Sequence, residues 1–280
     1  MRSLNQLNKN MRTIQDPDGG DGLLDYILDV VYDYLEIEPI KWVVEFGAHT
    51  GDDGVFLDFL IQDGYRAILI EGDKESFEGL AKKYKNNDNV LCINEYVDFR
   101  GPNTLDQLLS KTAIDKVFDV LLIDVDSTDY QIWESVTEYE PLVAVIEFNE
   151  TYGPHMDRVH NVQFNEWAAN LNKVKKNEIS SSISGSSLMS IHQLSKSKGY
   201  ELLTYTRNNA FFIEKELFHY FHLKEIDITK DFTKTTLNIP NRVLSSKDLF
   251  KKFLRFGFIK TFFRYRQQKR TGIIKKWRKK

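Results

Sequence analysis

The segment KWVVEFGAHTGDDG (41–54) decides the fold prediction. Its first half, KWVVEFG (41–47), is short, apolar and rich in β-branched residues, which is typical of a buried strand. Its second half carries glycines at 47, 51 and 54 and enters VFLDFLIQDG (55–64), a helical pattern that ends at a glycine. A strand that leads through a glycine-rich turn into a helix lets a ligand approach the backbone closely.

The same alternation of strand and helix continues along the chain. Apolar strand patterns follow at 67–72, 89–96, 118–126 and 142–149, and helical patterns lie between them at 74–87, 104–111 and 129–136. Beyond a helix at 187–199, the strands 200–206 and 209–215 are separated by Arg207 and Asn208, which indicates a tight antiparallel hairpin. We therefore predict an α/β fold, a Rossmann-like doubly wound sheet that is mostly parallel with a C-terminal antiparallel hairpin, plus a basic helical tail.

Composition excludes several classes of protein. With 280 residues, 41% hydrophobic and 28% charged, the chain is globular and long enough to bury a core, and a disordered or collagen-like protein is excluded. A single cysteine, Cys92, excludes a disulfide scaffold and a zinc site built from cysteines, and it fits a reducing compartment. No apolar run reaches the length of a membrane span, and the polar start lacks a signal-peptide core, so we expect a cytoplasmic protein.

The net charge of −3 hides a strong asymmetry. Residues 247–280 contain 14 Lys and Arg and one acid, which gives +13, whereas residues 1–246 carry −16. Aromatic and aliphatic residues recur at helical spacing in this tail, which predicts a basic amphipathic helix that lies on an anionic membrane surface. The protein would then be peripheral at the inner face of the membrane. Docking of the tail on its own body or on a partner subunit is the alternative. Nucleic acid is disfavoured because the acidic body repels a polyanion, and a homo-oligomer stays open.

Two acids beside the glycine turn point to a nucleoside cofactor. Glu71 ends the second strand, 24 residues after Gly47, where an acid can accept both hydroxyls of a ribose. The turn has the spacing GxxxGxxG rather than GxGxxG, and His49 stands where a second glycine would admit a pyrophosphate, which disfavours NAD and FAD. Glu45 at the end of the entry strand suits a cofactor with a cationic amino-acid end.

These residues resemble the class I S-adenosylmethionine-dependent methyltransferases, in which an (E/D)xGxxxG first motif and an acid after the second strand hold the cofactor. The segment 103–149, with FDVLLIDVDSTDYQIWESV and LVAVIEFN, is similar to the FkbM-like branch and to methyltransferase-like proteins of bacterial capsule and O-antigen gene clusters. The resemblance covers about residues 41–215 and departs at Asp126-Ser127, where many FkbM-like proteins have Glu-Gly. It implies O-methylation of a sugar, nucleotide-sugar or glycan precursor in surface polysaccharide biosynthesis.

The pattern along the chain predicts a domain organisation, and the resemblance implies a cofactor site. We expect an N-terminal helical extension (1–40), a methyltransferase domain (41–215), a linker (216–246) and the basic tail (247–280), with the long excursion 150–184 covering the substrate. Asp98, beyond the third strand, is expected near the adenine amino group. The residues expected to bind S-adenosylmethionine are Glu45, Gly47, Ala48, His49, Gly51, Glu71, Gly72, Asp98 and Asp124.

Polar residues follow the fourth and fifth predicted strands. Asp124 and Asp126 share one side of the fourth strand, as Glu147 and Asn149 share one side of the fifth, and both strands end at the same crevice. Four oxygen ligands could converge there and hold Mg²⁺ or another divalent cation, which would lower the pKa of a substrate hydroxyl. The metal-free alternative is a carboxylate or histidine that acts as a general base. The predicted catalytic residues are Asp124, Asp126, Glu147 and His155, and the predicted metal ligands are Asp124, Asp126, Glu147 and Asn149.

Two other functions stay open from the sequence. A nucleotide-binding oxidoreductase or epimerase would share the fold, but the chain lacks GxGxxG and a Tyr-x-x-x-Lys pair after the fourth strand. A non-catalytic, membrane-associated adaptor could keep the methyltransferase fold and act through its tail.

Overall fold

A seven-stranded sheet forms the centre of the molecule. The structure is a computed structural model that describes residues 7–14, 16–35, 38–51, 55–161 and 184–231. The strands are β1 (Trp42–Phe46), β2 (Arg66–Ile70), β3 (Val90–Ile93), β4 (Val117–Ile123), β5 (Glu140–Glu147), β6 (Tyr200–Tyr205) and β7 (Asn209–Glu214).

Helices flank the strands in the predicted order. The α-helices are α1 (Gly20–Leu35), α2 (Asp58–Gln62), α3 (Lys74–Tyr84), α4 (Leu105–Leu109), α5 (Asp129–Ser135), α6 (Leu188–Ser197) and α7 (Ile228–Asp231), and 3₁₀ turns cover Asn8–Asn10, Gly101–Asn103 and Lys215–Phe221. Helix α1 begins at Gly20, whose amide donates a hydrogen bond to the Asp16 carboxylate at 2.7 Å. An acid that caps a helix in this way satisfies an amide that has no partner within the helix.

The order of the strands confirms the predicted fold class. The sheet has the order β3-β2-β1-β4-β5-β7-β6. Strands β1 to β5 pair in parallel, and β7 lies antiparallel to both β5 and β6. The amide of Thr206 donates to the carbonyl of Asn209 at 2.8 Å, which closes the predicted hairpin around Arg207 and Asn208. The fold is therefore a doubly wound, class I methyltransferase-like sheet, mostly parallel with an antiparallel C-terminal hairpin.

Each face of the sheet is covered by its own apolar core. In β1, Trp42, Val44 and Phe46 face a core that includes residues of α4, α5 and α6, whereas Val43 faces a second core that includes residues of α1, α2 and α3. Because successive side chains of a strand point to opposite faces, burial on both faces requires the continuous apolar runs seen in the sequence.

The C-terminal part of the domain is longer than predicted. Residues 216–228 fall in the predicted linker, yet Leu217, Phe221, Ile226 and Ile228 are buried against the two cores. Apolar burial of this kind makes the segment part of the domain rather than a linker. The tail (247–280) lies outside the described residues, as does most of the excursion between 162 and 183. Within the described part of the chain, no helix is long and apolar enough to span a membrane.

Candidate active site

The glycine turn after β1 lies directly against the end of β4. Gly47 has φ of +80°, and a Cβ atom placed on it would stand 1.8 Å from the carbonyl oxygen of Asp124. A side chain at this position would therefore be both strained and blocked by backbone. Gly51 and His49 also have positive φ, at +79° and +51°. The predicted cofactor turn and the predicted acidic strand end are thus in contact.

Glu45 is buried beneath this turn. Its two carboxylate oxygens accept hydrogen bonds from the amides of Phe56 at 2.9 Å and Leu57 at 2.8 Å. Burial raises the pKa of Glu45 to about 8, and the two amide bonds oppose that rise. The sequence suggested direct contact with the cofactor, whereas in the structure Glu45 anchors the chain at the start of α2 and so holds the turn from below.

Glu71 connects the glycine turn to the end of β2. One carboxylate oxygen accepts from the amide of His49 at 2.8 Å, and the other accepts from the amide of Asp73 at 2.7 Å. A carboxylate has about four lone-pair positions, so these two bonds leave acceptor capacity for the hydroxyls of a ribose. Asp73 itself caps α3 by accepting from the Ser76 amide at 2.9 Å. Asp73 therefore caps a helix, and the ribose-binding role of Glu71 stays a prediction.

The segment after β3 is attached to the same place. The side-chain amide of Asn94 donates to the carbonyls of Glu71 at 2.8 Å and Gly72 at 3.3 Å. The ring of Tyr96 lies against Gly72 and is 71% exposed. We did not single out Tyr96 from the sequence, because an isolated aromatic residue after a strand has no periodic signal. Asp98 is exposed and accepts from the Phe99 amide at 2.7 Å, and its approach to an adenine stays a prediction.

Three of the four predicted metal ligands come together. Carboxylate oxygens of Asp124, Asp126 and Glu147 all lie within 4.8 Å of one another. Asp124 and Glu147 are hydrogen-bonded through their side chains. Glu147 also accepts from the amide of Asp126 at 3.0 Å and from the side chain of Asn208 at 3.1 Å. We refer to Asp124, Asp126 and Glu147 as the acidic cluster.

The acidic cluster favours protons or cations. Burial raises the pKa of Glu147 well above its ordinary value, and the negative charges of Asp124 and Asp129 raise it further. The pKa of Asp124 is also raised, again mainly by burial. Two carboxyl groups in this contact avoid repulsion when they share one proton, so we infer that the pair titrates as a unit.

Asp129 supports the cluster from below. It is buried, and its two oxygens accept from the amides of Val125 at 2.8 Å and Ser127 at 3.0 Å. These bonds shape the loop that presents Asp126, which has a left-handed backbone with φ of +60°. Asp129 is therefore a residue that positions the loop.

The sequence assigned Asn149 to the metal site and His155 to catalysis. The side-chain oxygen of Asn149 accepts from the amide of Thr151 at 2.9 Å and from its hydroxyl at 2.6 Å, so its acceptor positions are filled within the loop rather than directed at a metal. His155 is exposed and is not among the residues that line the cavity beside the cluster. The other histidine of the excursion, His160, is buried and accepts from the Gly185 amide at 3.1 Å. Asn149 and His160 therefore make hydrogen bonds within the loop, and the catalytic role of His155 stays a prediction.

A cavity of about 560 Å³ opens beside the acidic cluster. Arg207 at its mouth pairs with Glu150 at 2.8 Å. The sequence showed Arg207 only as a residue of the hairpin turn, because nothing in a turn pattern indicates which cavity the turn will border. Acidic side chains outnumber the single arginine in the described lining of the cavity. The described residues that line the cavity are Asp18, Asp126, Asp129, Glu147, Phe148, Asn149, Glu150, Thr151, Ser184, Gly185, Arg207 and Asn208.

Comparison with known proteins finds similarity in structure but not in sequence. No protein-family model matches the chain, and no curated protein matches it. The plantazolicin methyltransferase BamL, solved with a triazolic desmethylPZN analogue and SAH, is 8% identical with a TM-score of 0.45, over 75% of this chain and 89% of BamL. The O-methyltransferase TomG from Streptomyces achromogenes, solved with SAM, is 10% identical with a TM-score of 0.37, over 75% of this chain and 94% of TomG. The fold assignment rests on the strand order and register of the chain itself.

Proposed function

We propose that this chain is an S-adenosylmethionine-dependent methyltransferase that methylates a substrate hydroxyl. The observation that carries the proposal is the contact between Gly47 and the backbone carbonyl of Asp124. This contact joins the turn suited to the cofactor to the acidic cluster suited to the acceptor. A cofactor held by the turn and a hydroxyl held at the cluster would lie side by side, which is the arrangement that a transfer between them needs.

The residues of the turn fit this cofactor. Glu71 would hold the ribose hydroxyls, and the backbone from Gly47 to Gly51, fixed from below by Glu45, would hold the methionine end. When bound, S-adenosylmethionine supplies an electrophilic methyl group on a positively charged sulfur. The negative cluster next to the turn suits that positive charge, and the turn lacks the glycine spacing that a pyrophosphate needs.

The acidic cluster would remove the proton of the acceptor. A carboxylate of Asp124 or Glu147 accepts the hydroxyl proton while the hydroxyl oxygen forms a bond to the methyl carbon. The carbon–sulfur bond breaks and its electron pair stays on sulfur, so the sulfonium becomes a neutral thioether. The proton on the carboxyl group then passes to solvent, which restores the base.

The cluster also has the donors that a hard divalent cation prefers. Three carboxylate oxygens within 4.8 Å of one another fit Mg²⁺ or a similar ion. Such an ion would supply Lewis acidity and lower the pKa of the acceptor hydroxyl. It would also replace the proton that Asp124 and Glu147 otherwise share.

We propose a sugar hydroxyl of a glycan precursor in surface polysaccharide biosynthesis as the acceptor. The resemblance of residues 103–149 to the FkbM-like branch supports this substrate class. The cavity supports it as well, because Thr151, Ser184 and Asn208 offer polar groups for hydroxyls. Its many carboxylates disfavour a diphosphate, so a sugar without a nucleotide is the better fit.

Methyl transfer in vitro tests the proposal. The full chain is incubated with methyl-labelled S-adenosylmethionine, Mg²⁺ and a panel of uncharged sugars and nucleotide-sugars. We expect label in an uncharged sugar, and we expect Glu147→Gln to lower turnover about 10²- to 10⁴-fold. The control is Glu138→Gln, an exposed acid outside the cluster that pairs with Lys116. Wild-type turnover in Glu147→Gln would contradict the catalytic role of the acidic cluster. Turnover that survives excess EDTA would exclude the proposed metal ion and would be consistent with the general-base mechanism.

A further inference from the structure

We infer that Tyr96 forms a stacking surface for the adenine of the cofactor. The inference rests on the proposed function, because it needs a nucleoside whose ribose is held by Glu71. It adds a specificity-determining residue at a position where the sequence showed no motif.

The ring of Tyr96 presents one face to the protein and one face outward. A Cβ atom placed on Gly72 would meet three contiguous ring carbons at 2.3, 2.5 and 2.6 Å. Such nearly equal distances mean that Gly72 lies under the face of the ring, since an approach to the ring edge would bring one carbon much closer than its neighbours. Tyr96 is nonetheless 71% exposed, so its outer face is open to a ligand.

The position of the ring is fixed relative to the acid that would bind the ribose. Gly72 follows Glu71 directly in the chain, and the side chain of Asn94 bonds to the carbonyls of both residues. The carboxylate of Glu71 is fixed in turn by the amides of His49 and Asp73. The acceptor of the ribose hydroxyls and the aromatic ring therefore belong to one connected set of hydrogen-bonded loops.

An adenine would gain from this arrangement. The base is attached to the ribose, so hydroxyls held at Glu71 bring the base next to the neighbouring loop. An exposed aromatic ring offers a π-face to a purine, and stacking of a base on such a ring typically strengthens binding about 5- to 100-fold. Gly72 is required because any side chain there would displace the ring.

Calorimetric titration of the full chain tests the inference. The probes are S-adenosylhomocysteine and S-ribosylhomocysteine, which has the same ribose and amino-acid end but no adenine. We expect Tyr96→Ala to weaken S-adenosylhomocysteine at least about tenfold and to leave S-ribosylhomocysteine unchanged. Tyr96→Phe keeps the ring and should bind like wild type. Tyr34→Ala is the control, since Tyr34 is a half-exposed tyrosine that stacks on Tyr220.

The outcomes separate this inference from the proposed function. Wild-type affinity for S-adenosylhomocysteine in Tyr96→Ala would overturn the inference and leave the function standing. Equal losses for both probes would also overturn it, because the ring would then act only as support for the loop. A wild-type chain that binds neither S-adenosylhomocysteine nor adenosine would refute the proposed function, and the inference would fall with it.

Discussion

Gly47 and Gly101 differ in how strongly an added side chain would disturb the structure. Both have left-handed backbone, with φ of +80° and +76°. A Cβ atom at Gly47 would collide with the carbonyl of Asp124, whereas a Cβ atom at Gly101 would meet nothing within 4 Å. The two positions therefore share the backbone strain and differ in the contact, which makes them a matched pair.

We predict that Gly47→Ala lowers the free energy of unfolding by about 3 kcal/mol or more, because left-handed strain of about 1–2 kcal/mol adds to a forced shift at the end of β4. Gly101→Ala should cost about 1–2 kcal/mol from the strain alone. Urea unfolding of the two variants measures the difference. Equal losses would show that the contact with Asp124 contributes nothing to stability.

The sequence predicted some site residues and not others, for a physical reason. Asp124, Asp126 and Glu147 could be brought together from strand alternation and from the rule that parallel strands end at one edge. The roles of Glu45 and Asn149 depend on hydrogen bonds to loop residues, and these depend on loop conformations that the pattern does not specify. Tyr96 was missed for the same reason, because its contact with Gly72 joins two loops.

At the scale of elements, periodicity identified the strands and helices but not all their ends. Strand β4 was predicted at 118–126 and ends at Ile123, since the chain turns where Asp129 binds the amides of Val125 and Ser127. The sequence did not predict the burial of residues 216–228, because the segment is too short to show a repeated spacing of apolar residues. Tertiary contacts decide both cases.

Helix α6 provides a test of stability against pH. His192 is buried on this helix, and burial, followed by the charge of Lys196, lowers its pKa to about 4. Below about pH 6.5 the unfolded chain binds a proton there that the folded chain does not, so stability is lost as the pH falls from 6.5 towards 4. The shift corresponds to a loss of up to about 3 kcal/mol.

His192→Gln should remove this part of the pH dependence, and His155→Gln, at an exposed site, should leave it. The measurement is the unfolding free energy of each variant minus that of wild type between pH 4 and 7. The difference is needed because Glu45 and Asp119 have raised pKa values of about 8 and about 7 and contribute the opposite slope. Parallel profiles for wild type and His192→Gln would contradict the assignment.

At the scale of the whole molecule, the main feature is that the body and the tail of the chain carry opposite net charges. The tail (247–280) lies outside the described residues. Residues 1–246 carry −16 and the tail carries +13. The folded domain explains part of the acidity, because Asp126, Asp129 and Glu147 line one cavity and Asp124 lies beside Asp126 and Glu147. The association of the tail with an anionic membrane stays a prediction.

The central claim is that the glycine turn and Glu71 bind the adenosine and methionine parts of S-adenosylmethionine. Calorimetric titration of the full chain with S-adenosylhomocysteine, and separately with NADH, tests it most directly. We predict saturable binding of S-adenosylhomocysteine at one site per chain, weakened at least about tenfold by Glu71→Gln, and no binding of NADH. Binding of NADH without binding of S-adenosylhomocysteine would contradict it.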